Sequence, residues 1–438
     1  MKKIIIYSIL LVTFFTFSCK NYTEDLNTDP NAFSSAPPEL IIGQAQLGWM
    51  QLVTSNSARY AGIFMNHFTG EDRQYLTVNN YSTTAGDYDD TWADAYVRGI
   101  EQAQLTKNLA TESGNTQLVG IAQITEAALF GEMAALFGNI PFTQAGDPDN
   151  FPTPVYDGQA AVFTGVQALL DEGISNIGTA SSSLYSGNRL SSQATWAEIA
   201  YSLKARYYLI AKDYANALTN ARRGINTPQK SLVTQHTTST RTENLYYQFI
   251  VDRRDGYLGA TNSHLVRLLN GMTPRRIATP GDANRFTFYF SANGSGHVPN
   301  TSNTGVFAET APMNLISYEE VKLIEAEAAN RTGDAGDVTA FNEVRAHLFL
   351  KFNPSTNFNI SHSSGSVGSD FTITITSQPT NGNAEVNDNG TVDDASDDYI
   401  VFTPSGQITG TEVIEYEVSR PKIGLQLIIK IYATFLCT

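Results

Sequence analysis

The sequence predicts a mostly α-helical body with long loops, followed by a small antiparallel β module. Two observations support this architecture. Apolar residues recur at three- and four-residue spacing from Leu40 to about Ala346, and near Lys351 the pattern changes to short alternating, β-branched runs. With 438 residues, of which 42% are hydrophobic, the chain can build one large or two moderate cores.

The N-terminus predicts export and anchoring. Lys2 and Lys3 precede an apolar run, residues 4–17, which is shorter than the roughly 20 residues that span a bilayer. We therefore expect a signal peptide over residues 1–18. Ser18-Cys19 resembles a bacterial lipobox, so Cys19 is the expected lipidation site, with residues 19–38 as a lipidated tether. The alternative is an ordinary secretory signal in which Cys19 occurs by chance.

The body, residues 39–350, contains helices predicted from apolar spacing. Two pairs of them resemble tetratricopeptide units, in which small alanines let antiparallel helices approach closely. One pair is separated only by Lys212 and Asp213, and the other runs from Tyr318 past Gly333 to Val344. The predicted helices are 102–109, 119–137, 160–177, 195–211, 214–225 and 318–331.

The C-terminal region predicts a β module over residues 355–420. Its strand signals are residues 372–376 and 399–403, and Asn381-Gly382 and Asn389-Gly390 are turn signals. The acidic run Asp393–Asp398 has oxygen ligands suited to calcium but not the spacing of a calcium loop, so a solvated turn is favoured. The sequence assigns no role to the apolar tail, residues 421–438.

Charge and motif content argue against several classes of function. The formal charge of −15 disfavours nucleic acid as a partner. The six histidines lack metal-ligand spacing, and motifs for a catalytic nucleophile or a phosphate-binding loop are missing, so we expect no catalytic residue, metal or cofactor. Glu71-Asp72 and the carboxylates of residues 87–90 could serve a two-acid glycosidase, but a solvated face and helix N-terminal charges are favoured.

Aromatic residues in polar loops provide the candidate binding site. Flat amphipathic rings flanked by polar groups suit ligands that offer both C–H faces and hydroxyls. An early loop before Trp92 and a later region after Gln248 contain such rings. The candidate ligand-binding residues are Arg73, Tyr75, Tyr81, Tyr88, Tyr257 and Tyr289.

Several segments together resemble the SusD/RagB family of Bacteroidetes, closest to its SusD-like branch. The post-cysteine tether is similar to the family's opening, and a helix ending in a Phe-Gly-x-x-Pro turn is similar to another family segment. The matching segments, in family order, are Cys19–Asn31, Ala127–Phe142, Tyr185–Asn188 with Trp196 and Ser202–Tyr208, and Ile316–Ala328.

The resemblance implies a lipid-anchored protein exposed on the outer membrane. Such a protein captures an oligosaccharide, or in some members a peptide, and delivers it to a SusC-type TonB-dependent transporter without catalysis. The alternatives are a secreted surface glycoside hydrolase and a structural or adhesive surface protein. Beyond the late helix the chain departs from the family, which implies that the helical domain is truncated at its C-terminus. The segment that follows resembles a cadherin-like, immunoglobulin-class repeat, on the evidence of Pro379–Asn383, Tyr399–Pro404 and Thr409–Tyr416.

Overall fold

The computed structural model describes residues 36–178, 189–271, 282–352, 357–358, 372–380, 382–387, 399–404, 410–420 and 425–435. The signal peptide, Cys19 and the Asp393–Asp398 run lie outside the described residues. The helices are α1 (Pro38–Thr54), α2 (Asn56–Phe64), α3 (Arg73–Asn79), α4 (Asp89–Ala93), α5 (Glu101–Glu112), α6 (Thr116–Phe137), α7 (Gln159–Ile177), α8 (Trp196–Ile210), α9 (Tyr214–Ala221), α10 (Leu245–Tyr247), α11 (His264–Leu269), α12 (Asp282–Tyr289), α13 (Tyr318–Thr332) and α14 (Asp337–Phe352).

Shorter helical turns complete these elements. A π-helical segment, Asp94–Ile100, joins α4 to α5, and a second one, Gln248–Arg253, extends α10. Single 3-10 turns cover Ala85–Tyr88 and Pro228–Lys230. The predicted fold class, a mostly helical body followed by strands, is confirmed.

The predicted helices are all present, but the one starting at Tyr214 ends at Ala221 rather than near Ile225. Close packing explains the early end. A Cβ atom on Gly224 would lie 2.5 Å from Ser202 Oγ, and that hydroxyl accepts a hydrogen bond from the Ile225 backbone N–H at 2.9 Å. The chain therefore turns against α8 instead of continuing the helix.

The tetratricopeptide-like pairs form as predicted. Lys212 adopts a left-handed backbone with φ of 62°, and the Asp213 carboxylate accepts a hydrogen bond from Asn216 N to begin α9. Gly333, with φ of 73°, ends α13 before α14. Because α9 also packs on α13, the pair α8–α9 and the pair α13–α14 form one stack.

An arginine whose side chain is 13% exposed links this stack to the rest of the helical body. Arg206 on α8 donates to Glu132 on α6 at 2.5 Å and to Glu320 on α13 at 2.5 and 2.6 Å. It also donates to the carbonyl of Leu315 at 2.7 Å. The guanidinium thus orients three helices around one point.

Short strands pair within the helical region. They are β1 (Thr69–Gly70), β2 (Leu190–Ser191), β3 (Leu232–Thr234), β4 (Leu258–Gly259), β5 (Phe290–Asn293), β6 (Gly296–Pro299) and β7 (Asn314–Ile316). The sheets have the strand orders β1-β4, β2-β3-β7 and β5-β6, with every pair antiparallel. The sheets β1-β4 and β2-β3-β7 join loops that are distant in sequence, whereas β5 and β6 form a hairpin.

The C-terminal strands form two further antiparallel sheets. Their strands are β8 (Asn357–Phe358), β9 (Thr372–Ser377), β10 (Gly382–Asn387), β11 (Tyr399–Pro404), β12 (Gly410–Arg420) and β13 (Leu425–Phe435). The strand orders are β10-β11-β8 and β13-β12-β9. The tail without a predicted role supplies β13, which pairs with β12 along its whole length, from Gly410 opposite Phe435 to Arg420 opposite Leu425.

Two apolar clusters form the core of the helical region. The larger one joins α1, α5 to α9 and α13, and it buries Trp49, Trp196 and Tyr207 completely. The second cluster is rich in aromatic rings and contains Tyr75, and Tyr88, Tyr257 and Tyr289 pack against it. Of the described helices, α6 alone is long and apolar enough to span a bilayer, but 83% of its apolar window is buried inside the protein. We therefore interpret α6 as a core helix.

Candidate functional site

A group of neighbouring aromatic rings lies at the C-terminal end of α6. Tyr88 closes the 3-10 turn, Trp92 lies on α4, Phe137 ends α6, and Tyr156 precedes α7. Phe137 lies 5.9 Å from Tyr88 and 5.2 Å from Trp92, while Trp92 lies 6.1 Å from Tyr156, measured between ring centroids. We call these four residues the aromatic patch.

The patch is accessible from solvent. Tyr156 is 62% exposed, and the other three rings are half-buried. Trp92 stacks on Tyr96 with a centroid distance of 5.3 Å and an interplanar angle of 7°. Burial raises the pKa of Tyr96, and its neutral hydroxyl donates to the carbonyl of Pro141 at 2.7 Å. Trp92 therefore rests on a fixed support.

The turn after α6 positions Tyr156. Gly138 ends the helix with φ of 78°, a conformation that favours glycine, and Ile140 then forms a β-bridge with Asp157. The Asp157 carboxylate accepts hydrogen bonds from the backbone N–H groups of Thr143 at 2.8 Å and Phe142 at 3.0 Å. These bonds, that of Thr143 above all, lower the pKa of Asp157. The Phe-Gly-x-x-Pro turn thus holds the adjacent Tyr156 beside Trp92.

The acidic clusters near the patch have structural partners. Asp87 accepts hydrogen bonds from Thr84 N at 2.7 Å and Thr84 Oγ1 at 2.9 Å, which fixes the turn that presents Tyr88. Asp89 and Asp90 lie in the first turn of α4, where carboxylates stabilise a helix. The Asp72 carboxylate accepts from Arg73 N at 2.9 Å at the start of α3. These contacts agree with the favoured interpretation, in which the carboxylates stabilise turns and helix N-termini.

The candidate residues Arg73, Tyr75 and Tyr257 lie together. The rings of Tyr75 and Tyr257 are 6.3 Å apart, and the Arg73 guanidinium lies 5.7 Å from the Tyr257 ring centroid. Arg73 is exposed and Tyr257 is half-buried, so both can meet a ligand.

The prediction that Tyr75 is a loop residue available to a ligand is wrong. Its side chain is 1% exposed, and its hydroxyl accepts from Arg59 Nε at 2.7 Å and donates to Asn56 Oδ1 at 3.1 Å. A ring packed 4.7 Å from Phe249 has no free face for a ligand. Tyr75 is a core residue that lies within helix α3 rather than in a loop.

The remaining candidates occupy different positions. Tyr81 is 72% exposed and stacks on Phe64 at 5.6 Å with an interplanar angle of 16°. Tyr88 belongs to the aromatic patch and also contacts Tyr60 at 5.9 Å. Tyr289 ends α12 and packs near Phe288 and Phe352. The rings of Tyr75, Tyr88 and Tyr257 therefore belong to one network that includes Tyr60. Tyr81 and Tyr289 contact other rings.

The candidate residues predicted from the sequence do not include Tyr156, Phe137 or Trp92. One signal was available for Tyr156, because it lies in the polar, proline-containing stretch 147–158, where a core role for an aromatic ring is improbable. Phe137 follows a regular helical spacing and gave no such signal. Within the described ranges, no three His, Cys, Asp or Glu side chains form a group that could hold a metal ion.

Comparisons with known proteins identify relatives of the helical region. Residues 30–342 match the SusD-like family described as "Starch-binding associating with outer membrane". Among curated proteins, no sequence matches the chain.

Solved structures with the same fold include a SusD/RagB family protein from Bacteroides thetaiotaomicron, with 20% identity, a TM-score of 0.54, and coverage of 73% of this chain and 75% of the other. A SusD homologue from Bacteroides fragilis has 16% identity and a TM-score of 0.54, with 73% and 74% covered. Another from Bacteroides vulgatus has 14% identity and a TM-score of 0.54, with 71% and 70% covered.

Proposed function

Because the chain belongs to the SusD/RagB family, whose SusD-like branch is described as starch-binding and associated with the outer membrane, we propose that it binds oligosaccharide at the bacterial surface without catalysis. The observation that carries this proposal is the aromatic patch, a row of rings accessible to solvent on a rigid helical scaffold.

The chemistry of the patch suits sugars. A sugar ring presents C–H groups that pack on an aromatic face, and hydroxyls that need hydrogen-bond partners. Tyr156 and Tyr88 offer faces together with their own hydroxyls, and the exposed carboxylates of Asp89 and Asp90 lie on the adjacent helical turn. Binding requires no proton transfer, which agrees with the structural roles of the nearby acids.

We expect that removing two rings from the patch weakens binding. In the double variant Tyr88→Ala, Tyr156→Ala, loss of stacking of roughly 1 kcal/mol per ring should lower affinity about tenfold or more. Isothermal titration calorimetry of the full mature chain with maltoheptaose provides the measurement, and circular dichroism verifies the fold.

The matched control is Phe341→Ala, since Phe341 is 49% exposed but lies on α14, outside the patch. If the double variant and the control bind maltoheptaose with equal affinity, the sugar site lies outside the aromatic patch. Tyr81 and Tyr257 would then be the next residues to vary. Release of reducing sugar by the pure protein would contradict a function limited to binding.

The finer parts of the proposal are a lipid anchor on Cys19, exposure at the cell surface and delivery of the ligand to a SusC-type transporter. The apolar run ending at Ser18-Cys19 and the family's association with the outer membrane support them.

We expect Cys19→Ala to release the protein from membranes, because the acyl chains that hold it would no longer be attached. Fractionation of cells that express the variant, with Cys437→Ala as the control, tests this expectation. Continued sedimentation of the Cys19→Ala protein with membranes would reject lipidation as its anchor.

A further inference from the structure

A cavity separate from the aromatic patch lies between α1, the start of α2 and the residues that follow β3. Its volume is about 300 Å³, and it adjoins a wider space of about 550 Å³ that shares Arg241, Glu243, Gln248 and Arg253 with it. These volumes are within the range of roughly 300–1,000 Å³ typical of small-molecule sites. No ring of the aromatic patch lines either space.

The charge of the cavity is opposite to that of the whole chain. Its lining contains one carboxylate, that of Glu243, and four arginines, Arg59, Arg189, Arg241 and Arg253. Asp252 lines the adjoining space, and the whole chain has a formal charge of −15. Within the described ranges, none of these four arginines forms an ion pair with a carboxylate. An anionic group entering the cavity would therefore meet guanidinium groups that are not already neutralised.

Arg59 is held in place before any ligand arrives. It is 7% exposed, its Nε donates to the Tyr75 hydroxyl at 2.7 Å, and its guanidinium lies 4.2 Å from the Phe249 ring centroid. Fixing the side chain in advance reduces the entropy lost on binding. The buried Tyr75 thus contributes as a positioning residue.

Two side chains that line the same cavity each have a buried acceptor that lacks a donor. Gln51 Oε1 and Glu243 Oε2 are inaccessible to solvent, and neither accepts a hydrogen bond from the part of the chain that the structure describes. The Glu243 side chain is among the buried charged residues, at 7% exposed. A buried acceptor without a donor is costly, so a rotation of either side chain that turns its oxygen toward a hydroxyl donor in the cavity would be stabilised.

We propose that this cavity binds an acidic sugar residue, a uronic acid, whose carboxylate contacts the arginines and whose hydroxyls donate to Gln51 and Glu243. The inference rests on the proposed function, because it assumes that the chain binds carbohydrate, and it adds a second site with a different chemistry. A simple anion would satisfy the arginines but would leave the buried acceptors without the hydroxyls of a sugar ring. A neutral sugar would leave the arginines without a counter-charge.

The experiment uses calorimetry on the full mature chain with glucuronic acid, a galacturonate trisaccharide, maltoheptaose and inorganic phosphate. Charge-assisted hydrogen bonds to guanidinium groups are strong, so Arg189→Gln and Arg241→Gln should each weaken uronate binding about tenfold or more and leave maltoheptaose binding unchanged. Arg223→Gln is the matched control. It makes the same change in charge on an arginine that stacks on Tyr201 and does not line the cavity.

Each outcome separates this inference from the proposed function. Maltoheptaose binding without uronate binding overturns the acidic-sugar site and leaves the proposed function intact. If Arg223→Gln weakens uronate binding as much as the cavity variants do, the uronate is attracted only by the general charge of the protein surface. If phosphate binds as tightly as the uronate, the cavity is a general anion site. Either result overturns the proposal. If free glucuronic acid and the trisaccharide both bind, the cavity recognises a single acidic residue. If only the trisaccharide binds, and both cavity variants lose that binding, the cavity recognises an acidic residue within a longer chain.

Discussion

At Asp94, the first residue of the π-helical segment beside the aromatic patch, burial opposes ionisation. The Asp94 side chain is buried, and this burial raises its pKa to about 6. Arg98, one turn later, donates a hydrogen bond to the Asp94 carboxylate and lowers that pKa in part. A carboxyl group with a raised folded-state pKa binds its proton more tightly in the folded protein than in the unfolded chain. Its effect on stability therefore depends on pH.

The sign of that effect can be predicted. Between about pH 4 and pH 6 the folded state retains the Asp94 proton while the unfolded chain loses it, so the free energy of unfolding falls as pH rises through this window. We expect Asp94→Asn, which stays uncharged, to gain stability relative to the natural protein over the same window, by on the order of 2 kcal/mol.

Urea unfolding at pH 4 and pH 7 measures the change, with the exposed neighbour Asp90→Asn as the control. A difference between Asp94→Asn and the natural protein that is the same at both pH values would contradict the prediction.

Among the helices, small residues at the crossing points set how closely they pack. Where α6 crosses α7, a Cβ on Gly120 would lie 2.7 Å from the Gly173 carbonyl oxygen and 2.6 Å from Ile177 Cγ2. Farther along α6, a Cβ on Gly131 would lie 2.2 Å from the Tyr207 ring. Since α6 also ends in the turn that presents Phe137 and positions Tyr156, its packing fixes the aromatic patch.

We expect Gly120→Ala to destabilise the protein by about 1–3 kcal/mol. Alanine favours a helix over glycine by about 1 kcal/mol, but its methyl group forces α6 and α7 apart against backbone atoms. Thermal unfolding of this variant is compared with Gly158→Ala, since a Cβ on Gly158, just before α7, would meet nothing within 4 Å. Equal melting temperatures for the two variants would show that the crossing can relax.

For the molecule as a whole, the sequence predicts a boundary after the helical body. Helix α14 ends at Phe352, whose ring lies 5.6 Å from Phe288 and whose carbonyl accepts a hydrogen bond from Asn284 at 2.7 Å. The helix end is thus attached to the body, and Asn353-Pro354-Ser355 follows as a break in the sequence pattern.

We expect limited proteolysis to cut first near Asn353 and to release a helical fragment that keeps its melting temperature, since the domains would fold independently. Mass spectrometry locates the cut, and calorimetry of the fragment measures its unfolding. Resistance at this join, with one cooperative transition for the whole chain, would contradict a division into two domains.

The fold was predictable from sequence where local periodicity determines it. The helices from α5 to α9 and the pair α13–α14 follow from apolar spacing, and β9 and β11 follow from alternation. The binding surface was less predictable because exposure depends on contacts distant in sequence. Tyr75 is buried against Phe249 and Tyr257. Tyr156 is held at the surface because the adjacent Asp157 accepts hydrogen bonds from the backbone N–H groups of Phe142 and Thr143. A polar neighbourhood in sequence does not distinguish these two tyrosines.

The position of β13 has a consequence for how copies of the protein behave toward one another. Among the described strands, β13 has β12 as its partner on one side and lies at the edge of its sheet for 11 residues. The outward N–H and C=O groups of such an edge can accept a strand from another molecule, which is a route to aggregation. Lys430 supplies the one charge in Leu425–Phe435 and lies at its midpoint, and a lysine in an edge strand is a common protection against strand addition. Neutralising Lys430 would leave the edge without that protection.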